Sequence, residues 1–303
     1  MYYFYSPEMF DPYQWGLERD VSYAYMPYNS FYYGDYISAL PYAYIPQSYE
    51  VQMKADDRGS WTPFTWVEKY AYAFSGPYNK AEVALTFDDG PDSEFTPKIL
   101  DKLKQHNVKA TFFLLGENAE KFPNVVKRIA NEGHVIGNHT YNHPNLAKVN
   151  DAEYRNQIIK TEEILKRLAG YAPKFIRPPY GEILENQLNW ATEQNFMIVQ
   201  WSVDTVDWKG VSADTITNNV LGNSFPGSVI LQHSTPGGHL QGSVDALDKI
   251  IPQLKTKGAR FVTLPSMFQT SKERKKERKK ERKKERKKER KKERKKERKK
   301  ERK

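Results

Sequence analysis

Between about Lys80 and Phe268 the chain alternates short apolar runs with longer amphipathic ones, and this alternation restricts the folds open to it. The apolar runs are 83–87, 110–115, 134–137, 174–176, 197–201, 228–232 and 260–263. They are rich in β-branched and aromatic residues and bounded by turn residues, which predicts buried strands. Helices are expected near 94–105, 118–131, 151–168, 185–194, 212–220 and 242–257. In the third of these, Ile158, Ile159, Leu165 and Leu168 are read as one apolar face, with Asp151 as the N-cap. Strands that alternate with helices build βαβ units and a mostly parallel sheet. Seven such units in about 190 residues predict an α/β fold, a small and incomplete β/α barrel.

A β/α barrel collects its chemistry at the C-terminal ends of the strands. Five of the predicted strands hand over to polar groups there. Asp88-Asp89 closes the first. His139 and His143 follow 134–137, and Arg177-Pro178-Pro179-Tyr180 follows 174–176. Asp204 and Asp207-Trp208 follow 197–201, and His233 follows 228–232. In the predicted fold all of them meet on one rim.

Two adjacent carboxylates are costly to bury unless each has a metal, an Arg or a hydrogen-bond donor. His139 and His143 are four apart, so a helical turn would place both imidazoles on one side, able to grip one metal. The chain has no Cys, so any metal must be held by His and carboxylate. Two His and one carboxylate leave coordination positions open, the pattern of a catalytic rather than a structural site. Such an ion acidifies water and polarises a carbonyl. A second carboxylate can then accept the proton. Adjacent strand residues point to opposite faces, but the Gly90-Pro91 turn relaxes that rule. One Asp can therefore ligate while its neighbour serves as base. Zn²⁺ suits these ligands best; Co²⁺, Ni²⁺ and Fe²⁺ fit the same set.

The ends of the chain have a different character. Residues 1–50 hold 13 of the 20 Tyr, with Pro7, Pro12, Pro27, Pro41 and Pro46 among them. Closely spaced Pro prevents long helices and central strands, so 1–65 is expected to be an irregular extension. Its dense Tyr could serve adhesion. From Glu273 the chain repeats Glu-Arg-Lys-Lys to its last residue. From Lys272 onward lie 24 of the 48 Lys+Arg and 8 of the 38 Asp+Glu, which leaves 24 against 30 elsewhere and a net of −6. The basic balance therefore belongs to the tail, 269–303, expected to be a solvated repeat that can anchor to anionic wall polymer or a membrane surface. It does not imply a nucleic-acid-binding core. No run of about 18 apolar residues occurs. The first residues have neither a basic n-region nor an aliphatic h-region, so no signal peptide is expected.

The strand-end motifs resemble those of the polysaccharide deacetylase (NodB-homology) family, carbohydrate esterase family 4. TFDDGP at 86–91, HTYNH at 139–143, RPPY at 177–180, DTVDW at 204–208 and LQH at 231–233 appear in the family's order, within a domain read as 66–268. The resemblance implies a distorted (β/α)7-type barrel that hydrolyses N-acetyl groups of a wall-type polysaccharide, peptidoglycan first and a chitin-like polymer second, releasing acetate. It implies Asp89, His139 and His143 as metal ligands and Asp88 as general base, paired with Arg177. It implies the Tyr180 backbone N–H as oxyanion donor and His233 as general acid, held by Asp204. Pro179, Tyr180, Trp208 and Leu231, with Trp201, would line the substrate groove. Many relatives carry Asp after the acid His, where this chain has Ser234.

Three further residues are assigned structural places: Asp207 as a helix cap, His134 as a packed side chain and His239 as loop surface. A monomer is expected. A cell-envelope or spore-associated site is suspected, because such polymers lie outside the cytoplasm. The competing readings are an amide hydrolase with a small non-sugar substrate and a non-catalytic coat protein.

Overall fold

Period-two alternation in one central strand sorts the side chains of the whole sheet. The computed structural model describes residues 66–67, 69–235 and 240–268. In it strand β1 is Tyr72–Ala73 and β2 is Glu82–Asp88. Val83, Leu85 and Phe87 of β2 pack outward into the main hydrophobic cluster. Ala84 belongs to a separate inner cluster. Thr86 and Asp88 share the face of Ala84, because successive strand side chains alternate.

The remaining elements follow in order. Helix α1 is Phe95–Gln105, β3 Thr111–Leu114, α2 Gly116–Lys121, α3 Pro123–Asn131 and β4 Val135–Asn138. Then come α4 Asp151–Ala169, β5 Phe175–Ile176, α5 Glu185–Glu193, β6 Met197–Val199 and β7 Val203–Asp204. Last are α6 Ala213–Asn223, β8 Val229–His233, α7 Gln241–Thr256, β9 Arg260–Phe261 and α8 Leu264–Met267. The strand order is β1-β6-β5-β4-β3-β2-β8-β7, with β9 on β2. Every pairing is parallel. Among the described residues β1 and β7 pair with different strands and not with each other, so the barrel is open, as expected.

Two buried layers hold this sheet. Outside it, Ile99, Leu100 and Leu103 of α1 pack with Leu247, Ile250 and Leu254 of α7 against β2. Inside it, Phe113, Phe175, Val199 and Val229 meet Leu264 and Met267 of α8, which fill the barrel interior. Fully burying one such side chain stabilises by about 1.5–3 kcal/mol, so dozens of them offset the entropy of ordering the chain.

Several expectations need correction. Strands β1 and β7 were not foreseen, because two-residue strands carry no periodicity to read. The single helix expected at 118–131 is two, since Pro123 starts a new helix at its first turn. The N-cap of α4 is Asn150, whose side chain accepts the Glu153 N–H at 2.9 Å; Asp151 is already helical. Ile159 is 42% exposed. The buried stripe of α4 runs through Tyr154, Gln157, Ile158, Thr161, Ile164 and Leu165. Ile159 lies one residue, about 100°, round from Ile158, off that stripe. Ahead of β2, the rings of Trp66, Tyr72 and Phe74 meet edge to face at 5.7 and 5.0 Å. The expectations for 1–65 and 269–303 lie outside the described residues.

Candidate active site

Strand β2 delivers Asp88 to the inner face, and β5 delivers Arg177 opposite it. Arg177 Nη1 donates to Asp88 Oδ1 and to Thr86 Oγ1, both at 2.8 Å. Its Nε donates to Val199 O at 3.0 Å and Nη2 to Gln200 O at 2.9 Å. The guanidinium lies 4.3 Å from the Phe113 ring centroid. A fully buried Arg is tolerable only because Asp88 balances its charge and carbonyls accept its protons.

The next residue, Asp89, breaks the alternation. Its φ of 69° is left-handed and turns the carboxylate away from the strand's pattern. Asn118 Nδ2 donates to Asp89 O at 2.8 Å and holds this turn. His139 Nδ1 lies 2.7 Å from Arg177 O. A carbonyl only accepts, so Nδ1 carries the proton and Nε2 presents a lone pair. His139 Nε2 and His143 Nε2 stand 3.2 and 3.3 Å from the same oxygen, Asp89 Oδ1. That oxygen is buried and makes no well-aligned hydrogen bond. The three ligand atoms lie within 4.8 Å of one another. These residues fit a divalent cation: two imidazoles and one carboxylate converge, and among the described residues the shared oxygen has no hydrogen-bond partner.

The electrostatics agree with that fit. Burial works against ionising Asp89, but His139, with the charges of His233 and His143, outweighs it and holds the carboxyl far below its usual range. Burial likewise opposes a charge on His139, yet Asp88 and Asp89 raise it. His143 is lowered by burial and by His139. The two aspartates thus favour positive charge at His139, and His139 in turn opposes it at His143. The histidines do not lie on a helix as expected. Thr140 and His143 have φ of 73° and 64°, and a tight loop brings the imidazoles together.

His233 ends β8 as the register partner of Asp88. Its Nδ1 lies 2.7 Å from Asp207 Oδ1. Asp207 Oδ2 accepts the His233 backbone N–H at 2.8 Å and the Ser243 hydroxyl at 2.7 Å. Burial would lower His233, but the hydrogen bond and charge of Asp207, with Asp89 and Asp88, raise it to about 9. This corrects the expectation that Asp204 holds His233 and that Asp207 caps a helix. Asp204 Oδ1 instead accepts the Val206 N–H at 2.7 Å. Val206 is left-handed, φ 60°, and the reversal brings Asp207, at the start of the 3-10 turn Asp207–Lys209, to the end of β8. Burial raises the Asp204 carboxyl. The two aspartates lie three apart after one strand, and nothing in their spacing tells which one reaches the histidine.

Ser234, the residue after His233, braces Asp88. Its N–H and hydroxyl both donate to Asp88 O, at 2.9 and 3.2 Å. Its carbonyl accepts the Thr96 hydroxyl at 2.8 Å.

Of the expected groove residues, Tyr180 and Trp208 are 57% and 55% exposed. Leu231 and Pro179 are buried. Tyr180 is left-handed, φ 61°, and its ring centroid is 4.8 Å from that of His143. A cleft of about 520 Å³ opens beside them, lined by His143, Pro144, Asn145, Lys148, Tyr180 and Glu182. Trp201 packs against the inner cluster instead, so it serves the core. His134 is packed as expected: its Nδ1 accepts the Ala110 N–H at 3.1 Å, and burial, with Lys109, lowers it to about 4. His239 lies outside the described residues. Sequence reasoning passed over Asn118, Asn138 and Gln157, polar residues whose neighbours are set only by the fold.

With this geometry in hand, comparison with known proteins is informative. The polysaccharide deacetylase family model matches residues 75–199. The chain is 96% identical over 275 residues to a peptidoglycan-N-acetylglucosamine deacetylase of Bacillus cereus, covering 91% of this chain and 100% of the relative. It is 36% identical over 197 residues to the peptidoglycan-N-acetylmuramic acid deacetylase PdaC of Bacillus subtilis, covering 65% of this chain and 41% of that protein. Among solved structures, a peptidoglycan N-acetylglucosamine deacetylase bound to 4-naphthalen-1-yl-N-oxidanyl-benzamide superposes with a TM-score of 0.69 at 96% identity. That match covers 70% of this chain and 99% of the other. The PdaC structure of Bacillus subtilis superposes with a TM-score of 0.58 at 35% identity, over 66% and 95% of the two chains.

Proposed function

Because this chain belongs to the polysaccharide deacetylase family, we propose that it hydrolyses the acetamido group of N-acetylglucosamine in peptidoglycan, releasing acetate and leaving a free amine. One observation carries the chemistry. An Arg-paired carboxylate, Asp88, is the register partner of a carboxylate-held histidine, His233, and both adjoin the Asp89–His139–His143 cluster. The 96% identity to a peptidoglycan-N-acetylglucosamine deacetylase supports the choice of polymer and sugar.

A divalent cation held by Asp89 Oδ1, His139 Nε2 and His143 Nε2, zinc in our reading, would polarise the acetamido carbonyl and acidify water. The protein's own groups do the rest. Asp88, oriented by its 2.8 Å bond from Arg177, takes a proton from the attacking water. The water oxygen bonds to the acetyl carbon, and the carbonyl oxygen gains negative charge. The Tyr180 backbone N–H donates to that oxygen. As the C–N bond breaks, His233 gives its proton to the departing nitrogen. Asp207 keeps His233 protonated until then and fixes its ring. Tyr180 and Trp208, both exposed at this rim, provide faces on which sugar rings can stack.

The Glu-Arg-Lys-Lys tail is assigned to retention on anionic wall polymer, and the place of action to the cell envelope or spore surface. Retention on wall fragments that falls steeply with salt tests the first. Antibody fractionation of cells and sporangia tests the second.

The decisive experiment follows acetate release from peptidoglycan and from N-acetylglucosamine oligomers. Release from peptidoglycan that stops with chelator and returns with zinc supports the proposal. Full activity of Asp88→Asn would sink the mechanism. Release from the oligomers alone would move the substrate to a chitin-like polymer. Metal analysis of the purified chain separates Zn²⁺ from Co²⁺, Ni²⁺ and Fe²⁺.

A further inference from the structure

Past His139, whose N–H still donates to Leu114 O of β3 at 3.0 Å, the loop to His143 has neither helical nor strand hydrogen bonding, yet it must hold two imidazoles 3.2 and 3.3 Å from one oxygen. Its backbone groups therefore need partners from elsewhere. The carbonyls go to the start of α2: Gly116 N–H donates to Thr140 O at 3.0 Å and Glu117 N–H to Tyr141 O at 2.9 Å. That approach requires glycine, since a Cβ on Gly116 would stand 2.7 Å from both Tyr141 Cδ2 and Thr161 Oγ1. The N–H groups go to side chains. Asn138 Oδ1 accepts Thr140 N–H at 2.9 Å, and Thr140 Oγ1 accepts His143 N–H at 3.1 Å. The two central N–H groups, of Tyr141 and Asn142, both donate to Gln157 Oε1, at 2.8 and 3.2 Å.

Gln157 lies on the buried face of α4 and is 4% exposed. Its Nε2 donates to Asn142 Oδ1 at 2.7 Å and to Glu153 Oε1 at 2.8 Å. All four hydrogen-bonding positions of the amide are thus in use. The Glu153 carboxylate only accepts, so it fixes which end of the amide faces the loop. A buried amide on a helix would ordinarily be replaceable by an apolar residue. Here three of its four bonds are spent on the loop between two metal ligands.

We propose that Gln157 is a positioning residue that sets the spacing and orientation of His139 and His143, and thereby the affinity for the metal. The proposal rests on the reading of Asp89, His139 and His143 as the ligands. Gln157 touches none of the ligating atoms. It acts through the backbone of Tyr141 and Asn142, while Glu153 keeps its amide turned the right way. Removing it leaves two buried or half-buried N–H groups without an acceptor, and the loop can recover partners only by moving. The imidazoles move with it.

The test uses the full chain loaded with zinc and titrated with a chromophoric chelator, so that zinc transfer gives the dissociation constant. Gln157→Met, which keeps the length and loses the hydrogen bonds, is expected to raise that constant about tenfold or more, the usual range for lost outer partners of metal ligands. Gln157→Glu keeps the acceptor and sets a second carboxylate against Glu153; it is expected to raise the constant as well. The visible spectrum of the cobalt-loaded Gln157→Met protein should also shift. Val220→Ala, a core truncation in α6, controls for stability alone and is expected to lower Tm with the zinc constant unchanged. A wild-type constant and cobalt spectrum in Gln157→Met overturn the proposal. If that variant does not fold, a wild-type constant in Gln157→Glu overturns it instead. A wild-type chain that takes up no zinc is a different outcome: it removes the ligand assignment itself.

Discussion

Asp88–Arg177 and His233–Asp207 are two carboxylate–cation pairs at the ends of neighbouring strands, built from the same physics and given opposite ends of one reaction by the proposed mechanism. In the first the cation is permanent and sealed in the protein, and the carboxylate is left to accept a proton. In the second the carboxylate is sealed in, and the cation is a histidine that can give its proton away. A buried carboxylate beside a cation is therefore neither acid nor base by itself. What decides its role is which partner can exchange a proton and which is locked behind it.

The largest effects should come from breaking the first pair. Arg177→Leu leaves Asp88 buried without its partner, and removing one member of a buried pair typically costs about 3–5 kcal/mol. A Tm drop of many degrees, with loss of acetate release, is expected in thermal unfolding and activity assays. A Tm like wild type would mean that the ion pair contributes far less than its burial implies.

Breaking the second pair should act on the chemistry more than on the fold. With Asp207→Asn, His233 loses the hydrogen bond and charge that raise it to about 9. The protonated fraction then falls at lower pH, so the alkaline limb of kcat/KM moves toward neutral. Loss of general acid catalysis is worth about 10²–10⁴-fold, which bounds the drop. Asp204→Asn is expected to leave the pH profile in place and to cost only a capping bond, about 1 kcal/mol. The reverse ranking of the two variants would restore Asp204 as the partner of His233.

His134 sharpens the comparison, because it shows what burial does to a histidine without a sealed carboxylate bonded to it. It is lowered to about 4, where His233 is raised to about 9. Above pH 6.5 His134 is neutral both folded and unfolded and costs nothing. Below that, the unfolded chain binds a proton that the folded one refuses, so stability falls between about pH 6.5 and 4. By pH 5 the loss is about 2 kcal/mol by linkage. Denaturant titrations at pH 7.5 and 5 measure it, and His134→Gln should remove this part of the pH dependence.

The smallest effect belongs to the rim. Trp208 is over half exposed, so Trp208→Ala should change stability by no more than about 0.5 kcal/mol. If the indole stacks on a sugar, KM for polymer rises severalfold while kcat stays near wild type. An unchanged KM would take Trp208 out of the groove.

Much of the site was legible because strand ends advertise themselves. Asp88, Asp89, Arg177 and His233 each follow an apolar run too short and too β-branched to be anything but a strand. A parallel sheet brings such ends to one rim. The α1, α4, α5 and α7 spans were legible for the same reason, as amphipathic stretches bounded by turns. The link between Asp207 and His233 was not, because it joins residues 26 apart through a left-handed turn at Val206. Nor was the loop between the histidines, read as helical from a spacing of four, whose true support is a glutamine on another element.

The amino-acid order by itself determined which residues could do the chemistry, since no Cys is present and the His and Asp at strand ends are few. It also determined the parallel α/β plan, because apolar periodicity is a local property of the chain. Only the tertiary structure decided who partners whom. Hydrogen bonds and charge pairs act over a few ångströms in space, whatever the distance along the chain. So Asp207 rather than Asp204 holds His233 in its charged form, Arg177 pairs with Asp88, and Gln157 braces the loop between His139 and His143.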